Sequence, residues 1–142
     1  MKIIKQLSLC FVCLLVLSTQ FVGTVEAKTN PYGTFMKSTL EAAKANYLKF
    51  KATGNKKYFK ELDKVANMVE QNDFSRRYNK TSAEYREYQS YIITIIQLYE
   101  SALYSLEKDK KSANEALADA KKNLVEANKL LKYEGMQPVV FK

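Results

Sequence analysis

Residues 81–107 read TSAEYREYQSYIITIIQLYESALYSLE, and no other stretch of the chain beyond its first residues carries as many apolar side chains. Tyr85, Tyr88, Ile92, Ile95, Tyr99, Leu103 and Leu106 recur at intervals of three and four, the helical period rather than the alternation of a strand. Arg86, Ser90, Thr94, Gln97, Ser101 and Ser105 form the opposite, polar face. Tyr91, Ile96, Leu98 and Ala102 widen the apolar arc beyond a two-helix seam, so a helix here needs several neighbours. Thr81 with Glu84 matches a capping box, and at 1.5 Å per residue the rod is about 40 Å long.

Upstream, Asn30-Pro31 places a capping residue before a proline at the first helical position. Tyr32, Met36, Leu40, Ala43, Tyr47 and Phe50 keep the period until Gly54, which predicts a helix over 31–53. Asn55 caps a second helix whose inner face is Tyr58 or Phe59, Leu62, Val65, Ala66 and Val69. So short a turn makes the two an antiparallel hairpin. The period is lost over 72–80, where Phe74 and Tyr78 are expected to tuck against the end of the domain. Downstream, Ser112 with Glu115 reads as a second capping box. A last helix carries Ala113, Leu117, Ala120, Leu124, Ala127 and Leu131 inward and stops at Gly135, followed by Pro138 and a short extended tail. The pattern predicts an all-α, up-down-up-down four-helix bundle, with a three-helix bundle and a loose N-terminal hairpin as the alternative. A repeat of the TPR kind is disfavoured, because no second copy of the Tyr47, Phe50, Gly54, Tyr58 spacing follows.

The first 27 residues have the form of a signal peptide. Lys2 and Lys5 precede the apolar run Leu7 to Leu17, and Val25-Glu26-Ala27 presents a peptidase site. That run is shorter than the ~20 residues a membrane span needs. The expected mature chain is a single domain over 28–142, secreted, with no transmembrane segment. Both cysteines, Cys10 and Cys13, lie in the leader, so this domain has to stand on its core.

Removing the leader takes away two lysines and one glutamate, and the net charge falls from +8 to +7. A basic secreted protein is drawn to polyanions outside the cell: teichoic acid, peptidoglycan, anionic headgroups or extracellular DNA. No specific nucleic-acid motif is present. An up-down topology places the first and third connections at one end and brings Lys49, Lys51, Lys56 and Lys57 toward Lys108, Lys110 and Lys111. These seven lysines are the expected polyanion-binding residues, diluted by Glu61, Glu107 and Asp109. Arg76, Arg77 and Lys80 form a smaller cluster at the other end.

With no histidine or tryptophan anywhere and no cysteine after the leader, Ser-His and Cys-His catalysis and imidazole or thiolate metal sites are excluded. No Gly-rich loop cradles a phosphate, and no cofactor is implied. A wall hydrolase would have to draw its carboxylate pair from Glu84, Glu87 and Glu100, and Glu84 and Glu87 are better explained as first-turn residues favouring the helix dipole. The expectation is a protein that is not an enzyme. Of the ten tyrosines, most fall on the predicted seams and Tyr104 falls off them. The cleavage site, the basic tyrosine- and lysine-rich helices and the missing catalytic set together resemble the small secreted wall-associated proteins of Gram-positive bacteria. That resemblance implies envelope association. The chain then reads as a cell-wall-binding protein on anionic polymers or, alternatively, as a helical module that binds another protein, such as an inhibitor or host-directed factor.

Overall fold

A computed structural model describes residues 30–141. The proposed leader, with Cys10 and Cys13, lies outside them. Four helices make up the described chain: α1 (Pro31–Thr53), α2 (Lys56–Gln71), α3 (Ala83–Leu106) and α4 (Lys110–Tyr133), with a 3-10 turn at Ser75–Arg77. Asn30 Oδ1 accepts from the N–H groups of Tyr32 and Gly33 at 3.1 and 3.4 Å, and Pro31 opens α1 without an orphan donor. Gly54 ends it at φ 67°, its N–H reaching Phe50 O at 2.7 Å, and Asn55 Oδ1 then caps α2 through Lys57 N at 2.9 Å.

Two caps differ from the sequence expectation. α3 is capped by Ser82, whose Oγ accepts from Tyr85 N at 3.2 Å, while Thr81 turns its hydroxyl to Asn79 Oδ1. α4 is capped by Asp109, one turn earlier than the Ser112 and Glu115 pair. Its carboxylate accepts from both Ser112 N at 3.0 Å and Ser112 Oγ at 2.6 Å, and Glu115 is left to approach Lys111 at 4.0 Å. A carboxylate that takes two donors outcompetes a single hydroxyl.

Side-chain contacts fix the direction of each helix. Tyr88, near the start of α3, receives the Phe74 N–H at 2.7 Å just beyond the end of α2, and Asn30 meets Glu134 at the end of α4. At the other pole Lys51 lies 3.5 Å from Ser105. The bundle is therefore up-down-up-down, and α3 is its axis, packing on α1, α2 and most extensively on α4. Ala102 on α3 and Ala113, Ala116, Ala120 and Ala127 on α4 are buried, and side chains this small let helices approach closely.

The burial of α3 is rotated from the predicted seam. Tyr88, Tyr91, Ile95 and Leu98 are fully buried, whereas Ile92, Tyr99, Leu103 and Leu106 are only partly so. Thr94 and Ser101, expected on the solvent face, lie in the core. Thr94 Oγ1 bonds to Ser90 O at 2.7 Å, and Ser101 Oγ joins Ala113 O at 2.7 Å and Tyr47 Oη at 3.0 Å, so each hydroxyl enters satisfied. Tyr104 is half-buried, and among the described residues the exposed tyrosine is Tyr133. Phe74 and Tyr78 close one end as expected, Phe74 edge-on to Tyr32 and Phe35 with centroids 5.1 and 5.3 Å apart.

That end also holds a buried polar cluster. Glu134, whose side chain is 2 % exposed, accepts from Tyr78 Oη at 2.6 Å, from Arg77 Nη2 at 3.2 Å and from the Asn30 side-chain amide. The Arg77 guanidinium sits over the Tyr32 ring, 3.9 Å from its centroid. The cluster ties the start of α1, the 3-10 turn and the end of α4 together.

Candidate polyanion-binding pole

The seven lysines are all solvent-exposed and surround the pole formed by the α1–α2 and α3–α4 connections. Lys49 and Lys51 stand on the last turns of α1, Lys49 with its ammonium 5.7 Å from the centre of the Tyr58 ring. Lys56 and Lys57 open α2, and Lys110 and Lys111 open α4. Lys108 lies between α3 and α4. Contacts bring Lys51, Lys108 and Lys110 together around one depression of about 320 Å³, floored by Ser105, Ala113 and Asn114. Lys56 and Lys57 share the pole without lining that depression. Among the described residues only Lys111 of the seven has a carboxylate within 4.0 Å.

Local stability argues against lysine at several of these positions. Lys108 adopts φ 64°, the left-handed conformation that glycine occupies most cheaply. Its N–H bonds to Ser105 O at 3.3 Å and that of Asp109 to Tyr104 O at 2.9 Å, the paired bonds of a Schellman turn. Gly135, at φ 79°, makes the same turn after α4 with bonds to Lys132 O and Met136 to Leu131 O. Neither α2 nor α4 has an acidic residue in its first turn. Lysines sit there instead, against the positive end of each helix dipole, at a cost of about 0.3–1 kcal/mol each.

The acidic residues at this pole leave its field net positive. Glu61 is paired with Lys64 at 2.8 Å, and this contact holds its carboxyl below the usual range. Hydrogen bonds from Ser112 do the same for Asp109, which faces the start of α4.

The opposite cluster changes character. Arg77, still partly exposed, is bound into the Glu134 site, and Arg76 and Lys80 are left at that pole with the exposed Arg86 and Lys132 beside them. No local pattern announces this pairing, since Arg77 and Glu134 are 57 residues apart.

Glu84, Glu87 and Glu100 do not line the depression that Lys51, Lys108 and Lys110 surround. Glu100 is separated from Glu84 by sixteen residues of one helix, about 24 Å of rise. That exceeds the spacing of roughly 5–10 Å that glycosidase carboxylates need. The carboxyl of Glu87 is raised chiefly by burial, with Glu84 and Glu126 adding like charge, and that of Glu84 is lowered by hydrogen bonds to its own N–H and to Ser82. Among the described residues no group of acidic side chains is arranged to hold a metal, and no helix is long and apolar enough to cross a membrane. Comparison of the chain with protein-family models, with curated proteins and with solved structures returned no match.

Proposed function

We propose that the chain is a secreted, non-catalytic protein of the Gram-positive cell wall, retained there by its lysine pole on anionic polymers such as teichoic acid. The observation that carries this reading is the placement of lysine where the fold favours other residues: Lys108 at a left-handed turn, and Lys56, Lys57, Lys110 and Lys111 at helix starts. Exposed charges within a Debye length add in their attraction for a polyanion, and a hydrated ammonium on a flexible stem suits a mobile polymer better than a shaped ligand.

The test is sedimentation of the mature chain with isolated walls. Retention falls steeply between low salt and about 0.5 M, where the Debye length is ~4 Å. Changing Lys56, Lys57, Lys110 and Lys111 to Gln weakens it more than changing the same number of exposed charges at the opposite pole, Arg76, Lys80, Arg86 and Lys132, while circular dichroism stays helical in both variants. Retention unchanged after teichoic acid is stripped, or equal losses from the two sets, refutes this mechanism.

A further inference from the structure

The fourth seam of the bundle, between α1 and α4, is not closed by helix packing. The two helices meet at the Glu134 end, where a Cβ on Gly33 would lie 3.0 Å from Glu134 Cβ, and they touch little elsewhere. The extended segment after α4 fills the gap. Val139 is 4 % exposed, and its backbone is bracketed by one side chain: Val139 N donates to Asn128 Oδ1 at 2.8 Å, and Asn128 Nδ2 donates to Val139 O at 2.9 Å. Lys44 Nζ donates to Val140 O at 2.6 Å, and the Val140 side chain points out, 55 % exposed. Phe141 packs on Tyr47 with centroids 6.1 Å apart, under the ammonium of Lys121.

These are the elements of a peptide-binding groove: a side-chain amide that reads backbone in either direction, a buried slot for one apolar side chain, and an aromatic shelf two residues on. The seam continues beyond that shelf. Lys51 is one turn past Tyr47 on α1, and Asn114 is two turns beyond Lys121 on α4, so the next stretch of the same seam is the depression lined by Lys51, Lys108 and Lys110.

We propose that the α1–α4 seam is a binding groove for an extended peptide with an apolar residue, any residue, an aromatic and then acidic residues, and that Pro138–Phe141 is a built-in occupant which such a peptide displaces. The built-in segment has an effective concentration of roughly millimolar order, so a competitor needs contacts that the segment lacks. Acidic groups over the lysines supply them. The groove stands on Asn128, Lys44 and Tyr47 and does not require wall retention to be correct; only its acidic end shares lysines with that reading.

The experiment uses the full mature chain carrying Val139→Asp to empty the groove, with Phe141→Ser as a second route if the first variant loses its helical dichroism. The probes are a fluorescent peptide MQPVVF and the same peptide extended by two glutamates. The emptied groove binds both, the extended one about tenfold tighter at low salt. Adding Asn128→Ala abolishes binding of both, and Lys51→Gln with Lys110→Gln removes only the advantage of the extended peptide. The unmutated chain excludes MQPVVF. Lys56→Gln with Lys57→Gln leaves peptide affinity unchanged even where it lowers wall retention, so the two proposals fail separately. A folded Val139→Asp or Phe141→Ser variant that binds neither peptide overturns the groove and makes the segment a structural plug; equal affinity for both peptides overturns the acidic specificity.

Discussion

Glu134→Ala removes the one acceptor on which three separate donors converge, and its cost can be worked from the geometry. Tyr78 loses a 2.6 Å charge-assisted bond, the Asn30 amide loses its carboxylate, and Arg77 loses its only ion-pair partner among the described residues. Tyr78 is buried and cannot recover a full hydration shell, whereas Arg77, with about a third of its side chain exposed, recovers most of its own. A stranded buried hydroxyl costs about 1–3 kcal/mol, and the lost bonds to Asn30 and to the partly exposed Arg77 bring the expected total to about 3–4 kcal/mol. Domains of this size have about 5–15 kcal/mol of stability, so the midpoint of urea unfolding, followed by circular dichroism, falls by roughly 2 M. Glu134→Gln keeps the shape and neutral acceptance and loses about half as much. Tyr78→Phe alone costs about 1–2 kcal/mol, and the double variant Tyr78→Phe with Glu134→Ala loses less than the two single losses added together. A loss below about 1 kcal/mol for Glu134→Ala, additive with Tyr78→Phe, refutes the reasoning and means that water satisfies the cluster.

Gly33→Ala gains about 1 kcal/mol of helix propensity, but its methyl lies 3.0 Å from Glu134 Cβ and 3.2 Å from the Glu134 carbonyl oxygen, so a net loss of up to about 2 kcal/mol is expected in the same urea assay. Lys108→Gly relieves a left-handed residue and raises stability by about 1 kcal/mol, read as a higher melting temperature, while wall sedimentation weakens; a gain in both would detach that lysine from retention. Alkali is expected to unfold the chain through its tyrosines. Burial raises the phenols of Tyr47, Tyr78, Tyr88, Tyr91 and Tyr99 above the ordinary 10.0, so the neutral phenol is the form that the folded state holds. Their contribution is fully present below pH 10 and is lost as pH rises toward the folded values, by about 1.4 kcal/mol per pH unit for each phenol still protonated in the fold. Tyrosinate absorbance should therefore show these groups ionising together with loss of helical dichroism; smooth independent titration of all ten would contradict their burial.

Much of the architecture was legible in the chain because it is written in short-range chemistry. Asn30-Pro31 and Gly54-Asn55 mark helix ends through bonds that span at most four residues, and the three-four spacing of α1 and α2 names Met36, Leu40, Tyr47, Leu62 and Val69, all of which are buried. From helix count and short connections alone, the lysines of two turns some fifty residues apart in sequence fall at one pole. Spacing picked Ser112 with Glu115 and passed over Asp109, because the outcome depends on how many donors each oxygen collects.

The tertiary structure decided what depends on distant partners. Hydropathy places Ser101 and Thr94 on the solvent face because it scores a hydroxyl by its affinity for water; inside the bundle Ser101 meets Tyr47 and Ala113, and its polarity is satisfied without water. Glu134 went unremarked in the pattern, a carboxylate just past a helix end, and is buried because Asn30, 104 residues earlier, and Tyr78, 56 earlier, are folded against it. Val139 reads only as the start of a short extended tail until Asn128 brackets its backbone between two helices that do not otherwise close. A periodic pattern reports which side of an element avoids water; it carries no term for which polar groups will meet across the core, and those meetings set the positions of Arg77, Glu134 and the last strand of chain.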